Sequence, residues 1–291
     1  MKKLDWDLVV VIAVRDGQNI ILDALNSIIN QDAGIRTYIS IVNDRSIDDT
    51  SRKVLEFYGH LDKNIGFNYR SLDNSVGPGE ARNIAEFMAP DSRYLAFIDA
   101  DDVWFPNHVS SKINKLELDI GDIVYGGMQD VFLTIKDMLM VEQKIGDRLM
   151  FQPAEAHSNP AMVIGYEKYF LTNRCNITIP STVIMRRDLF KLVGGFPKGI
   201  VCGEDGVMWR RLAEANRKFV YDPNITIKYR CLDELIGANQ SSSLRMPSSG
   251  GRHLIGKFPH INGNELDDDW RKEMSFKLGN NWHEKLKEFH E

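Results

Sequence analysis

Residues 94–102 decide the fold class and read Tyr94-Leu95-Ala96-Phe97-Ile98-Asp99-Ala100-Asp101-Asp102. An apolar and aromatic run is followed at once by three carboxylates, which is the pattern of a buried strand that ends at a polar edge. Carboxylates packed this closely repel one another, so a positive partner is expected among them. Hard oxygen ligands suit Mg²⁺ or Mn²⁺, and such an ion shared with phosphates is a usual way to bind a nucleoside diphosphate. An acidic loop that merely caps the helix after Pro106 is an equally good interpretation of this stretch alone.

Short apolar runs alternate with amphipathic stretches on the N-terminal side of this segment. Strands are predicted over Leu8–Val14, Tyr38–Val42, Phe67–Leu72 and Tyr94–Ile98, and helices over Ile20–Asn30, after a capping box at Ser46–Asp49, and over Gly79–Met88. This alternation predicts an α/β fold, with a mainly parallel sheet and helices on both faces. Ligands of such sheets bind beyond the carboxyl ends of the strands.

The C-terminal half is less regular. A strand is predicted over Ser181–Met185 and a long functional loop over 146–175. The Ser- and Gly-rich residues 237–251 indicate a mobile loop, and 267–290 have the pattern of a helix with an aromatic stripe. We therefore predict a domain over 1–235, with halves at 1–120 and 121–235, followed by an extension over 236–291.

Composition excludes several classes of protein. The 291 residues carry a formal net charge of -5, which does not favour binding to nucleic acid. The three cysteines form no CxxC pair, so a zinc site or a disulfide framework is not expected. The apolar run that starts at Leu8 is too short for a membrane span. We expect a cytoplasmic protein without a transmembrane segment, for which peripheral contact with the inner face of the membrane stays open.

Three further segments offer polar groups, and each has a simpler interpretation. Asp44 could accept the imide N–H of a uracil or thymine, or only cap its own turn. Arg82, in the glycine-rich helix start at 77–83, could contact a phosphate or lie on the surface. Glu204 and Asp205 could hold a general base or only complement the helix dipole.

Taken together in this order, the segments resemble the family 2 glycosyltransferases with the GT-A fold. The stretch 10–17 is similar to the family's first strand and base-binding turn, with Ala13 where proline is common and Arg15 where tyrosine is common. Residues 43–50 are similar to its DDGSxDxT stretch, 77–83 to GxxxARN, 99–101 to DxD, and 194–212 to GGF…ED…RL. The resemblance covers roughly residues 8–230.

The resemblance implies roles for the matching residues. Asp101 and Asp99 would be the metal residues, with Asp101 as the ligand that the DxD match gives and Asp99 also near the ribose and the diphosphate. Asp44, with the turn at Ala13 and Arg15, would bind the base. Arg82 would lie near the diphosphate. Asp205 would be the catalytic base, with Glu204 as its neighbour. Many relatives carry a histidine after the strand that follows the base helix, whereas residues 229–233 here contain none.

These roles imply an inverting transfer that depends on Mn²⁺ or Mg²⁺. A hexosyl group would move from a nucleotide-diphosphate sugar, with UDP favoured by Asp44, to a saccharide or lipid-linked glycan in polysaccharide biosynthesis. Two rivals stay open: a sugar-1-phosphate nucleotidyltransferase and a nucleotide-sugar-binding module without turnover.

Overall fold

The computed structural model describes residues 4–62, 64–132, 179–200 and 203–231, together with residues 272, 275 and 276. Within these residues eight strands form a single sheet. The strands are β1 (Trp6–Val14), β2 (Thr37–Asn43), β3 (Gly66–Ser71), β4 (Ser92–Phe97), β5 (Val103–Trp104), β6 (Ile123–Phe132), β7 (Ile184–Arg186) and β8 (Phe219–Cys231). The helices are α1 (Ile21–Ile29), α2 (Thr50–Gly59), α3 (Pro78–Met88), α4 (His108–Glu117), α5 (Arg187–Leu192) and α6 (Glu204–Glu214).

The sheet has the order β3-β2-β1-β4-β7-β6-β8-β5. Strands β3, β2, β1 and β4 are all parallel, as the βαβ pattern predicted. Strand β7 then runs antiparallel to both β4 and β6, β8 is parallel to β6, and β5 is antiparallel to β8. The predicted α/β class is confirmed, and the antiparallel strands enter only in the second half of the sheet.

Strand β1 is buried on both faces, because its residues from Leu8 to Val14 are at most 6% exposed. Alternate side chains point to opposite faces of a strand. Val9, Val11 and Ala13 pack into the core under α3, α5 and α6. The intervening residues pack into a second core under α1, α2 and α4.

The predicted capping box at Ser46–Asp49 is wrong. Helix α2 begins at Thr50, and its N-cap residue Asp49 makes no side-chain cap bond. The hydroxyls of Ser46 and Thr50 instead accept hydrogen bonds from the backbone N–H groups of Asp16 and Gly17, both at 2.8 Å. The polar side chains of Ser46 and Thr50 therefore fix the turn that follows β1, while Oδ1 of Asp48 accepts a hydrogen bond from the Thr50 N–H at 3.0 Å.

The strand predicted over Ser181–Met185 is correct only in its second part. Residues Pro180–Thr182 form a 3₁₀ turn, which the fixed φ of proline favours, and β7 begins at Ile184. The predicted loops at 146–175 and 237–251 lie outside the described residues. So does most of the predicted helix at 267–290, of which residues 272, 275 and 276 are helical.

Candidate active site

The carboxyl ends of β1, β2 and β4 meet at one edge of the sheet. Val14 is paired with Asn43, and Val11 with Phe97, so the residues that follow these strands are brought together. They include Arg15, Asp44 and Asp99. The start of α3 approaches the same edge through Gly77, which contacts Asp44, and Arg82, which contacts Asp99; α6 joins it through Glu204, which contacts Arg82.

The three carboxylates of the sequence Asp99-Ala100-Asp101-Asp102 converge. One oxygen from each of Asp99, Asp101 and Asp102 lies within 4.8 Å of the others. Asp99 and Asp101 are half-buried, whereas Asp102 is fully buried, and its Oδ2 accepts no hydrogen bond from any described residue. A buried acceptor without a partner is costly, so this oxygen is available to a cation. The oxygen-only donor set fits a hard divalent ion such as Mg²⁺ or Mn²⁺.

The acidic turn carries an excess of negative charge that alters its titration. Burial, with the neighbouring charge of Asp99, raises the pKa of Asp101 to about 6. Burial, with the charges of Asp101 and Asp99, raises the pKa of Asp102 well above its ordinary value. Both shifts express the cost of keeping these groups ionised without a cation among them.

Arg82 connects the acidic turn to α6. Its Nη2 lies 2.5 Å from Oδ1 of Asp99, and its Nη1 lies 2.8 Å from Oε1 of Glu204. The guanidinium carbon is also 5.3 Å from the centre of the Phe196 ring. Burial alone would lower the pKa of Arg82, but the two carboxylates outweigh it and raise the pKa above its ordinary value. Both terminal nitrogens are therefore paired with protein carboxylates in this structure.

Close packing fixes α3 against the segment that leads into α6. A Cβ at Gly79 would lie only 2.9 Å from Cγ of Glu204, so a side chain here would displace that carboxylate. The amide of Asn83 donates to the Phe196 carbonyl and accepts from the Phe196 N–H, both at 2.9 Å. These contacts hold the ARN segment of α3 against the GGF segment.

Asp205 lies beside Glu204 in the first turn of α6. Glu204 is buried against Arg82, whereas Asp205 is half-buried, and its Oδ1 accepts a hydrogen bond from the Gly206 N–H at 2.7 Å. A half-buried carboxylate keeps access to solvent, which a general base needs in order to meet an acceptor hydroxyl.

The residues predicted to bind the base form a second group. Asp44 is 2% exposed and accepts hydrogen bonds from the backbone N–H groups of Val76 and Gly77 and from the Ser75 hydroxyl. Arg15 donates to the same hydroxyl at 3.2 Å. Ala13 lies in the core under this turn. Asp44 thus orders the loop that begins α3.

Two features of the site were not identified from the sequence. The sequence shows that Asp102 is acidic but not that it is fully buried. Arg230 on β8 contacts the acidic turn, and nothing in residues 229–233 indicates that contact. No sequence pattern links Arg230 to partners more than 120 residues away.

Among the described residues, no helix combines the length and the apolar character that crossing a bilayer requires.

The chain is similar in sequence to known and uncharacterized glycosyltransferases. Glycosyl transferase family 2 matches residues 9–194. An uncharacterized glycosyltransferase of Rickettsia typhi is 28% identical over 232 residues, which is 77% of this chain and 64% of that protein. An uncharacterized glycosyltransferase of Methanocaldococcus jannaschii is 22% identical over 76% of this chain and 69% of its own length. The chain thus spans just under two thirds of the Rickettsia relative.

Solved structures share the fold at low sequence identity. S. aureus TarS in complex with UDP-GlcNAc has a TM-score of 0.57 and 17% identity, over 77% of this chain and 58% of that one. The mannosyltransferase PcManGT of Pyrobaculum calidifontis, in complex with GDP-Man and Mn²⁺, also has a TM-score of 0.57. It is 14% identical, over 98% of this chain and 76% of that one. With a family match over well over half of its length, this chain belongs to glycosyl transferase family 2.

Proposed function

We propose that the chain is a metal-dependent, inverting hexosyltransferase that moves a sugar from a UDP-sugar to a hydroxyl of a saccharide or lipid-linked glycan. The observation that carries the proposal is the convergence of Asp99, Asp101 and Asp102, joined through Arg82 to the helix that bears Asp205. A site for the diphosphate and a site for the catalytic base would then share one edge of the sheet. Residues 1–120 would supply the first site and 121–235 the second.

Asp101 and Asp99 would hold a bound Mn²⁺ or Mg²⁺, and Oδ2 of Asp102 would offer a third oxygen. A divalent cation bound there would stabilise the charge that develops on the departing nucleoside diphosphate. The guanidinium of Arg82, paired with Asp99, adds a fixed positive charge next to the same position.

Asp205 would take the proton of the acceptor hydroxyl as that oxygen attacks the anomeric carbon. A hydroxyl is too weakly acidic to react unaided, and a positioned carboxylate supplies the base. Attack on the face opposite the leaving diphosphate inverts the anomeric centre. Glu204, the neighbour of that base, would act by holding Arg82 against the first turn of α6.

The donor is proposed from Asp44 and from the structural neighbours. The loop that Asp44 orders, with Arg15, would surround the base, and the imide N–H of uracil is a suitable donor to a carboxylate. TarS is seen with UDP-GlcNAc and PcManGT with GDP-Man, so both nucleotides belong in a donor screen. Cytoplasmic location and peripheral contact with a membrane remain predictions from the sequence.

The test is sugar transfer by the full chain with UDP-GlcNAc, UDP-Glc or GDP-Man, in Mn²⁺ or in EDTA. Asp205→Asn should lower kcat by about a hundredfold or more, the usual contribution of a general base. Asp188→Asn is the matched control, because Asp188 is also a first-turn helix acid but lies on α5. Undiminished transfer by Asp205→Asn would show that Asp205 is not the catalytic base. UDP binding without transfer to any acceptor would favour the alternative of a binding module. Release of pyrophosphate from a nucleoside triphosphate would favour the alternative of a nucleotidyltransferase.

A further inference from the structure

Arg230 near the end of β8 reaches both the acidic turn and the start of α1. Its Nε donates to the backbone carbonyl of Asp101, and its backbone N–H donates to Oδ1 of Asp102 at 3.3 Å. Its Nη1 lies 2.7 Å from Oδ2 of Asp23, and its Nη2 donates to the carbonyl of Ile20 at 3.2 Å. The side chain is only 11% exposed.

The strand register explains this position. Strand β5 runs antiparallel to β8, with Val103 opposite Lys228 and Trp104 opposite Ile227. Continuing that register backwards by two residues sets Asp101 opposite Arg230. The sheet itself therefore brings the guanidinium to the carbonyl of a residue in the acidic turn.

The contacts of Arg230 also extend to the turn after β1. The carbonyl of Gly17 accepts hydrogen bonds from the N–H groups of Ile20 and Ile21, so the start of α1 is continuous with that turn. Arg230 thus connects the acidic turn to the segment proposed to bind the base. Its planar fork can satisfy a carbonyl and a carboxylate in fixed directions at the same time, which an ammonium group cannot.

We propose that Arg230 is a positioning residue of the metal centre, which holds the backbone of Asp101 against α1 so that the carboxylates of Asp99, Asp101 and Asp102 converge on one divalent cation. The inference rests on the proposed metal dependence. Its physical basis is that three neighbouring carboxylates repel, so the turn needs an external constraint to keep them together before the cation arrives. Arg230 acts on the backbone and on geometry, and it does not touch the substrate.

A rival explanation is that Arg230 matters only through its charge. The two explanations predict opposite signs for the effect on the cation. Loss of a positive charge beside the site would strengthen attraction of Mn²⁺, whereas loss of the constraint would weaken Mn²⁺ binding. Replacement by lysine separates them further, because lysine keeps the charge and loses the fork.

The experiment is titration of the full chain with Mn²⁺, followed by electron paramagnetic resonance of the free ion, with and without UDP. Arg230→Gln and Arg230→Lys should each raise the Kd for Mn²⁺ by about tenfold, the usual loss when a group that orients a metal ligand is removed. Arg36→Gln is the charge-matched control and should change the Kd by less than about twofold, since that exposed arginine pairs with Asp7 at the opposite ends of the strands. Circular dichroism and the thermal midpoint verify folding, and Arg230→Lys decides alone if Arg230→Gln does not fold.

Transfer kinetics give a second measurement that general damage to the fold would not reproduce. A positioning defect should raise the Mn²⁺ concentration needed for half-maximal rate, while kcat at saturating Mn²⁺ stays within about threefold of wild type. Tighter or unchanged Mn²⁺ binding by Arg230→Gln would overturn the inference, and so would wild-type affinity in Arg230→Lys. If the wild-type chain itself binds no Mn²⁺, the inference falls together with the proposed metal dependence, whereas equal binding by all variants removes the inference alone.

Discussion

The acidic turn at residues 99–102 and the polar network of Lys112, Asp222 and Thr226 under α4 both bury ionisable side chains. They differ in how an excess of one sign of charge can be neutralised. In the network, Nζ of Lys112 donates to the Thr226 hydroxyl at 2.8 Å and lies 3.8 Å from Asp222, and all three residues are fully buried. Burial, with the charge of Lys115, lowers the pKa of Lys112 to about 7, so the network can lose its surplus charge as a proton. In the acidic turn, Asp99 and Asp101 remain half-exposed.

The difference shows which observation separates a structural cluster from a functional one. Perturbed pKa values occur in both and do not distinguish them. Access does, because an ion or substrate can reach the acidic turn and cannot reach Lys112. The two clusters are nevertheless connected: Trp104 stacks on His108 at a centroid distance of 4.3 Å and donates to the Ser181 carbonyl. The Ser181 hydroxyl in turn accepts from the Asp99 N–H.

The largest expected effect on Mn²⁺ binding and sugar transfer comes from removing one carboxylate of the acidic turn. Asp101→Asn should abolish detectable Mn²⁺ binding and lower transfer by about a hundredfold or more, since a bound metal supplies several kcal/mol to such reactions. The thermal midpoint without metal should hold or rise, because one repulsive carboxylate is gone. Calorimetry, resonance titration and the transfer assay measure these three quantities.

Asp222→Asn is the matched change in the other cluster. It leaves two lysines beside one neutral amide and should lower the free energy of unfolding by about 3 kcal/mol, as the loss of one partner of a buried ion pair does. The Mn²⁺ affinity of the folded protein should be unchanged. A loss of Mn²⁺ affinity in Asp222→Asn would contradict the division into a structural and a functional cluster.

The next effect concerns the pH dependence of stability. Because the pKa of Lys112 is lower in the folded protein than in the unfolded chain, the unfolded chain binds more protons above pH 7, and stability should rise with pH in that window. Between pH 7 and pH 9 the contribution is about 2 kcal/mol. Urea unfolding at both pH values should show this rise in the wild type and in Lys191→Met, a control at an exposed ion pair, and should lose it in Lys112→Met. An equal rise in Lys112→Met would assign the effect to other groups.

Titration of the acidic turn predicts a smaller effect on the cation. Since burial raises the pKa of Asp101 to about 6, Mn²⁺ must displace a proton below that pH. The Kd for Mn²⁺ should rise by about tenfold between pH 7 and pH 5. Titrations at the two pH values measure it, and a Kd that is constant across this range would show that Asp101 is not a ligand.

The smallest expected effect on stability comes from an exposed ion pair, and it serves as the reference for the buried clusters. Arg36 and Asp7 form an ion pair at 3.0 Å, with both side chains more than a third exposed. Arg36→Gln should leave the midpoint of urea unfolding close to that of the wild type, because exposed ion pairs contribute little to stability. A clear fall in that midpoint would mean that charge effects in this chain are not governed by burial.

The strands and helices of the first half of the sheet could be predicted because the apolar patterns that identify them lie in consecutive residues. Strand β1 was predicted over Leu8–Val14 and spans Trp6–Val14, and α3 was predicted over Gly79–Met88 and spans Pro78–Met88. Apolar runs of this kind are buried in any parallel sheet, so their neighbours in sequence suffice. The motifs at 99–101 and 203–205 were found for the same reason.

The partners of those motifs were not predictable, because they depend on which distant strands pair. Asp44 was expected to face a base, whereas its carboxylate is already bonded to the loop at Ser75, Val76 and Gly77. Whether it also contacts the base is untested and stays a prediction. The capping box failed because Ser46 serves a turn 30 residues earlier in the chain. Lys112 and Arg230 show no pattern at all, because each is defined by contacts across the sheet.

The ion pair between Arg82 and Glu204 bears on how the chain can be divided for expression. The segment matched by the family ends at residue 194, ten positions before Glu204. A fragment cut there would lose α6, whose Trp209 and Leu212 fill the core beside Phe97, and would leave a buried guanidinium with one carboxylate instead of two. A recombinant fragment meant to fold by itself must therefore continue at least through β8, whatever the boundaries of sequence similarity suggest.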